Sequence, residues 1–156
     1  MGPNFAGPEL TALFSELVRL EVELWDAVEG RVRAEHAMGL GSYEVMSVIA
    51  REPGCRVHDI AAALSITVGG VSKIVDRIEA VGLCGRRVNP GDRRSSIVEL
   101  TADGERRLSE VTRTVEAELA RRLAPAVRDR APAEFTRMLA DLRAAVRASD
   151  PGQAAS

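Results

Sequence analysis

The chain has 156 residues, of which 46% are hydrophobic, 28% are charged and only 3% are aromatic. These values are typical of a soluble globular domain with or without helical extensions, and the scarcity of aromatic rings argues against a module that stacks single-stranded bases. The net charge of −2 is unevenly distributed, because residues 1–52 carry nine acidic against four basic side chains, whereas residues 67–101 carry six basic against four acidic ones. Since the local field decides which face meets phosphate, the acidic total does not exclude DNA as a partner.

Two observations predict a cytoplasmic protein without a membrane partner. The first ten residues, MGPNFAGPEL, lack the basic flank and apolar run of a secretory signal. The longest uninterrupted apolar run in the middle of the chain, Ile60 to Leu64, is far too short to span a bilayer.

The first predicted element is one long helix from Glu9 to about Ala37. Its apolar residues recur in steps of three and four: Leu10, Leu13, Leu17, Leu20, Leu24, Val28 and Val32. Such a helix spans roughly 40 Å, more than a three-helix core can cover, so part of its apolar face must meet something else. The segment Met38–Gly41 predicts a break, and Ser42 is a good N-cap for a short helix from Tyr43 to Ala50.

The stretch from Val57 to Thr101 has the pattern of a winged helix-turn-helix. Ile60, Ala61 and Leu64, followed by Val71, Ile74 and Ile78, predict two short helices joined by a tight turn. Thr67 can cap the second helix and Gly82 can end it in a left-handed conformation. Two strands, Leu83–Val88 and Ser96–Leu100, then flank the turn residues 89–92.

A second long helix is predicted after Thr101, which can cap it. Pro125 should kink or split this helix, and Pro132 should begin a last one with its apolar side chains inward: Phe135, Met138, Leu139, Leu142 and Val146. Residues 149–156 read as a frayed tail. Terminal helices with apolar faces and no sheet to cover predict dimerisation, so the expected fold is mainly α-helical with a small β-hairpin wing.

The central segment resembles the multiple-antibiotic-resistance regulator (MarR) family of bacterial transcription factors. The resemblance rests on the helix pair, on Asp76-Arg77-Ile78-Glu79 leading to Gly82-Leu83, and on Asp92-Arg93-Arg94 followed by residues 98–104, VELTADG. It implies a homodimer whose N-terminal helix (residues 1–40) and C-terminal helices (residues 102–156) interlock around DNA-binding lobes (residues 41–101).

The resemblance further implies a ligand-responsive repressor of double-stranded DNA with a pseudo-palindromic operator. The candidate DNA contacts are Thr67, Gly69, Gly70, Ser72, Lys73, Arg77, Asp92, Arg93 and Arg94. Asp92 is expected to hold the guanidinium of Arg94 as it enters the minor groove, where arginine suits the narrow, negative channel. Gly69 and Gly70 either let the backbone of the second helix approach DNA or have no functional role.

An effector pocket is expected where the first helix meets the DNA-binding lobe, because members of the resembled family commonly bind aromatic, often anionic, ligands there. The candidates are Arg19, Trp25, His36, Tyr43 and Met46. Only Arg19 is placed to receive a carboxylate, so a neutral or apolar ligand, or none, is equally compatible. Alternatively, Trp25, His36, Tyr43 and Met46 simply fill the core.

Other chemistries find little support in the residues. No nucleophile elbow, phosphate loop or zinc-binding helix motif occurs, so we expect neither an enzyme nor a cofactor or metal. Two alternatives stay open: a winged-helix module that binds only protein, and a redox-sensing regulator using Cys55 or Cys84. We expect the cysteines to be structural.

Overall fold

The structure, a computed structural model, describes residues 7–127 and 132–149, without the side chains of Arg93 and Arg94. The elements follow in this order: α1 (Gly7–His36), α2 (Leu40–Arg51), α3 (Val57–Leu64), α4 (Val68–Ala80), β1 (Cys84–Asn89), β2 (Asp92–Leu100), α5 (Ala102–Leu123) and α6 (Pro132–Ala148). The prediction of a mainly helical fold with a hairpin wing is confirmed. The chain divides into a compact unit that ends at Leu119 and a second that begins at Ala120, within α5.

The junction of α1 and α2 differs from the prediction. Ala37 adopts a left-handed conformation (φ 51°) and Gly39 is the N-cap of α2. The Glu29 carboxylate of α1 accepts a hydrogen bond from the Leu40 N–H, so a neighbouring helix supplies the acceptor that the helix N-terminus needs. The prediction that Ser42 caps a helix starting at Tyr43 is therefore wrong, since Ser42 is a buried residue inside α2.

The helix-turn-helix follows its predicted caps. The Thr67 hydroxyl accepts from the Gly70 N–H at 3.1 Å at the start of α4, and Gly82 (φ 77°) turns the chain after α4 ends. Helices α2, α3 and α4 and the hairpin enclose a core that we call the central core: Val45, Met46, Val48, Ile49, Cys55, Ile60, Ala61, Val71, Val75, Ile78, Cys84 and Val98.

The hairpin is antiparallel, with Cys84 opposite Leu100 and Arg86 opposite Val98. Its second strand begins at Asp92 and not at Ser96 as predicted. The physical reason is the tightness of the tip: the Asn89 side chain accepts from the Gly91 N–H at 3.0 Å, which closes the turn and lets Asp92 pair with Asn89.

A small joint connects the hairpin to α5. The Thr101 hydroxyl donates to the Gly82 carbonyl at 2.7 Å and accepts from the Gly104 N–H at 3.0 Å, which confirms Thr101 as the cap of α5. Gly104 packs against the Leu83 backbone so closely that a Cβ there would lie 1.9 Å from the Leu83 carbonyl oxygen. Only glycine fits at this position without displacement of the backbone.

A second, smaller core joins the end of α1 to α5 through Val28, Val32, Leu40, Val111 and Val115. Helix α5 ends at Leu123, before Pro125, and α6 begins at Pro132, both as predicted. None of the apolar residues of α6 predicted to lie inward is buried in the single chain.

The predicted tail beyond Ser149 lies outside the described residues. Among the described residues no single helix is long and apolar enough to cross a membrane, although α3 and α4, bent by 115°, satisfy length and composition together.

Candidate nucleic-acid interface and an acidic cavity

Helix α4 presents the predicted contact residues on its outer side. Thr67, Gly69, Lys73 and Arg77 are exposed, and Gly70 and Ser72 are partly buried. A Cβ built on Gly69 meets nothing within 4 Å, whereas one on Gly70 would lie 3.1 Å from the Thr67 hydroxyl. Gly69 therefore leaves open space on the outer surface, and Gly70 keeps the cap of α4 intact.

The bases of this region fall into two groups. Lys73 and Arg77 form no ion pair with any residue that the structure describes. Arg86 on β1 is held by two carboxylates of α4: Asp76 accepts from it at 2.6 Å, and Glu79 accepts from both its side chain and its backbone N–H.

Arg87 is likewise paired with Glu99 on β2 at 2.8 Å. The two paired arginines brace the hairpin, one against α4 and the other across its two strands. The motif Asp76-x-x-Glu79 was the sequence signal for the contact with Arg86, but that contact could be identified only once β1 was known to return beside α4. The unpaired cations, Lys73 and Arg77, remain available to an external anion.

The tip of the hairpin carries the predicted clamp. Asp92 is exposed and opens β2. The side chains of Arg93 and Arg94 lie outside what the structure describes, so the contact between Asp92 and Arg94 stays a prediction.

The five predicted effector residues are not gathered around one cavity. Met46 is fully buried in the central core and Tyr43 packs against the smaller core, which favours the alternative that these two fill space. The ring Nε2 of His36 lies 2.8 Å from the Thr114 hydroxyl on α5.

Arg19 and Trp25 lie on the exposed part of α1. Arg19 pairs with Glu16 at 3.3 Å, and both side chains are at least 70% exposed. Trp25, which is 42% exposed, is the one predicted effector residue that lines the cavity described next.

This cavity lies where α1 meets α2 and the helix-turn-helix. Its volume is about 460 Å³, and its walls are Glu21, Val22, Trp25, Asp26, Gly41, Glu44, Leu64, Ile66 and Ile74. Three of these residues are acidic and none is basic. None of the three carboxylates was predicted from the sequence to line a cavity, because single acids on an amphipathic helix are typical of solvent-facing positions.

Both cysteines are buried. Desolvation raises the pKa of Cys55 and of Cys84 to about 11, and nearby carboxylates add to this effect. A thiol with such a pKa carries almost no thiolate at neutral pH, and the thiolate is the form that reacts with oxidants. The geometry therefore counts against a redox-sensing role.

This arrangement of helix pair, hairpin and basic outer face defines a winged helix-turn-helix protein. A sequence model of the MarR family matches residues 38–95. Residues 38–95 are thus similar to the MarR family, in agreement with the resemblance found in the sequence.

Comparison with a curated relative covers the central region. The chain is 31% identical over 75 residues to a transcriptional regulatory protein for the hcr operon of Thauera aromatica, which is 48% of this chain and 45% of the relative. The match thus spans less than half the length of that protein.

Solved structures share the fold over most of the chain. BldR from Sulfolobus solfataricus superposes with a TM-score of 0.80 at 20% identity, covering 87% of this chain and 95% of its own. Sco3205 from Streptomyces coelicolor, solved in complex with DNA, gives 0.77 at 21% identity over 99% and 95%. CouR from Rhodococcus jostii, bound to p-coumaroyl-CoA, gives 0.70 at 21% identity over 83% and 87%.

Proposed function

We propose that this protein is a homodimeric transcriptional regulator that binds a specific double-stranded DNA operator, and that it acts as a ligand-responsive repressor. The observation that carries the proposal is the outer face of α4, where Lys73 and Arg77 are exposed and without ion-pair partners in the described chain, beside the open surface at Gly69. A related fold in Sco3205 was solved in complex with DNA, which supports the same use of this surface.

The paired arginines add to this argument. Because Asp76 and Glu79 occupy Arg86, and Glu99 occupies Arg87, the hairpin is braced while α4 keeps its free cations. Phosphate contacts from such cations position a protein on the duplex, whereas contacts to base edges specify sequence. Thr67, Ser72, Lys73 and Arg77 would reach the major groove or its phosphates, and the hairpin tip would reach the adjacent minor groove.

Dimerisation is supported by apolar surface that the single chain leaves uncovered. Phe14 on α1 is 67% exposed and Val146 on α6 is 68% exposed, and each stands in a row of exposed apolar neighbours. A contiguous exposed apolar surface of this kind marks an interaction site. A two-fold dimer would present its recognition helices about 34–36 Å apart, so the operator should be a pseudo-palindrome.

The proposal is tested by fluorescence anisotropy with a labelled duplex from the region upstream of the protein's own gene. We expect Arg77→Ala to weaken binding by at least about tenfold, with a smaller salt dependence, because a contact to phosphate or base is lost. Arg19→Ala, which removes the same charge from α1, is the matched control and should change little. Equal effects of the two substitutions, or no binding by the wild type to any operator-length duplex, would contradict the proposal.

The ligand response requires a difference in free energy between dimer geometries. An effector can lower operator affinity only if it binds one spacing of the recognition helices more tightly than another. The cavity borders α1 and the helix-turn-helix, and the relative position of these two elements sets the spacing of the recognition helices. A ligand that fills the cavity would therefore favour one arrangement of the two elements.

A further inference from the structure

The cavity between α1, α2 and the helix-turn-helix is lined by both apolar and acidic side chains. Leu64, Ile66 and Ile74 supply the apolar surface from the helix-turn-helix side, and Val22 and Trp25 supply it from α1. Its volume of about 460 Å³ falls within the range of small-molecule sites in proteins, roughly 300–1,000 Å³. A flat or globular apolar body of drug-like size therefore fits.

The three carboxylates of the cavity have no internal partners. Glu21, Asp26 and Glu44 form neither a hydrogen bond nor an ion pair with any residue that the structure describes. On α1, Glu16, Glu29 and Glu35 each pair with an arginine one turn away, whereas Glu21 and Asp26 do not.

Glu44 is the most enclosed of the three. Burial raises its pKa above the ordinary value of 4.5, and the positive charge of Arg51 only partly offsets that effect. Keeping an ionised carboxylate in such a place costs folding free energy, because its desolvation is only partly compensated by Arg51. Unpartnered acids that border an apolar cavity are better suited to a bound cation than to the fold itself.

We propose that this cavity binds a lipophilic organic cation, a molecule with a permanent positive charge on an apolar, preferably aromatic, body. The indole of Trp25 would contact the charge or the aromatic rings, since cations bind favourably to the face of a tryptophan. Glu44, with Asp26 and Glu21 at the rim, would neutralise the charge. This inference depends on the proposed function in one respect: it takes the bound cation to be the effector that changes operator binding.

The same geometry excludes anionic ligands. Among the described residues no lysine, arginine or histidine lines the cavity, and Arg19 is engaged by Glu16. An acyl-CoA of the kind bound to CouR carries several phosphate charges and would face three carboxylates here. Like charges at close range oppose binding, so this chain differs in ligand charge from that structural relative.

The test uses two ions of the same shape and opposite charge, tetraphenylphosphonium and tetraphenylborate, with titration calorimetry on the full-length protein in sodium buffer without DNA. We expect tetraphenylphosphonium to bind and to quench Trp25, the single tryptophan of the chain. Tetraphenylborate should bind at least about a hundredfold more weakly, because its charge meets unpartnered carboxylates instead of being neutralised by them.

Matched variants locate the site. Glu44→Gln should weaken tetraphenylphosphonium at least about tenfold, which corresponds to about 1.4 kcal/mol. Glu23→Gln removes the same charge from α1 at a position that does not line the cavity, and it should leave binding unchanged. Circular dichroism and thermal melting of both variants establish that they are folded.

Three results would overturn the proposal. These are equal or tighter binding of tetraphenylborate, the same loss in Glu23→Gln as in Glu44→Gln, and no binding of either ion. None of these results bears on operator binding, which the Arg77→Ala experiment tests separately.

Discussion

The central winged helix buries its apolar side chains within the single chain, whereas α6 and the first half of α1 leave most of theirs exposed. In the centre, Ile60, Val71 and Val75 are fully buried by neighbours within about forty residues of chain. Helix α6 is a regular amphipathic helix, yet it has no buried residue. Helix α1 combines both situations, because Val28 and Val32 are buried while Phe14 is not.

The difference shows that the winged helix carries its own core, whereas α6 buries none of its residues in the single chain. An amphipathic helix that buries nothing gains little of its stability from the chain to which it belongs.

The largest effect should come from charging the apolar face of α6. Leu139→Glu with Leu142→Glu should convert the dimer to a monomer in light scattering and weaken operator binding by roughly a hundredfold or more, since two half-sites would no longer be linked. Hydrogen exchange should show the central core still protected. Ala140→Glu with Ala144→Glu, on the opposite side of the helix, is the control and should remain dimeric; a dimeric Leu139/Leu142 variant would contradict the comparison.

Within the first unit, Gly104→Ala should destabilise the fold by at least about 2 kcal/mol, because the new Cβ would overlap the Leu83 carbonyl. Denaturant unfolding measures this loss. Gly30→Ala in α1, where nothing lies within 4 Å, should be neutral or stabilising. Similar losses in the two variants would show that the joint at Gly104 does not constrain the fold.

The hairpin tip offers a test in which two explanations differ in sign. Arg94→Ala should weaken operator binding by at least about tenfold, or 1.4 kcal/mol, and lower the salt slope by roughly one unit per subunit. Asp92→Ala should be nearly as harmful if Asp92 positions Arg94, although it removes a negative charge next to DNA. Tighter operator binding by Asp92→Ala would show that the tip is only a charged loop.

Gly69→Ala separates stability from DNA binding on α4. Because the position is open, alanine should raise the free energy of unfolding by up to about 1 kcal/mol through helix propensity. If the backbone at Gly69 approaches DNA closely, the same variant should bind the operator less well. Higher stability with unchanged operator affinity would mean that Gly69 has no role in the contact.

The smallest effect concerns Glu44, at the junction of α1 and the centre. Its pKa is raised by burial, so the fold favours the protonated form, and this contribution is fully present below the unfolded pKa and is lost as pH rises through the folded pKa. Glu44→Gln should therefore melt higher than the wild type at neutral pH, and the difference should vanish below about pH 4. Equal melting temperatures at every pH would indicate that Glu44 is fully solvated.

Local chemistry made most of the elements predictable. The capping bonds at Thr67 and Thr101 and the left-handed backbone of Gly82 are local, so they could be predicted before any tertiary contact was known. Ser42 has equally good capping chemistry, but the Glu29 carboxylate of α1 already supplies the acceptor at Leu40, and the helix starts earlier. The prediction was wrong because a non-local partner outcompeted a local one.

In the candidate sites, too, groupings that depend on local spacing were predictable and groupings that depend on tertiary contacts were not. The residues of α4 lie on one face of one helix, so their grouping follows from the helical period. The cavity, by contrast, takes residues from α1, α2, α3, the turn and α4, and its three carboxylates are separated in sequence by ordinary charged positions. In the sequence, Met46 and Tyr43 were candidate effector contacts like Trp25, but Met46 lies in the central core and Tyr43 packs against the smaller core.

The order of helices and hairpin, the caps at Thr67 and Thr101, and the basic character of the outer face were predictable from the sequence, because each depends on neighbours a few bonds or one helical turn away. Only in the folded chain does Arg86 meet Asp76 and Glu79, does Gly104 meet the Leu83 carbonyl, and do three acids, unpaired among the described residues, line one cavity. These features depend on distances between segments far apart in the chain, and residue spacing alone carries no information about such distances.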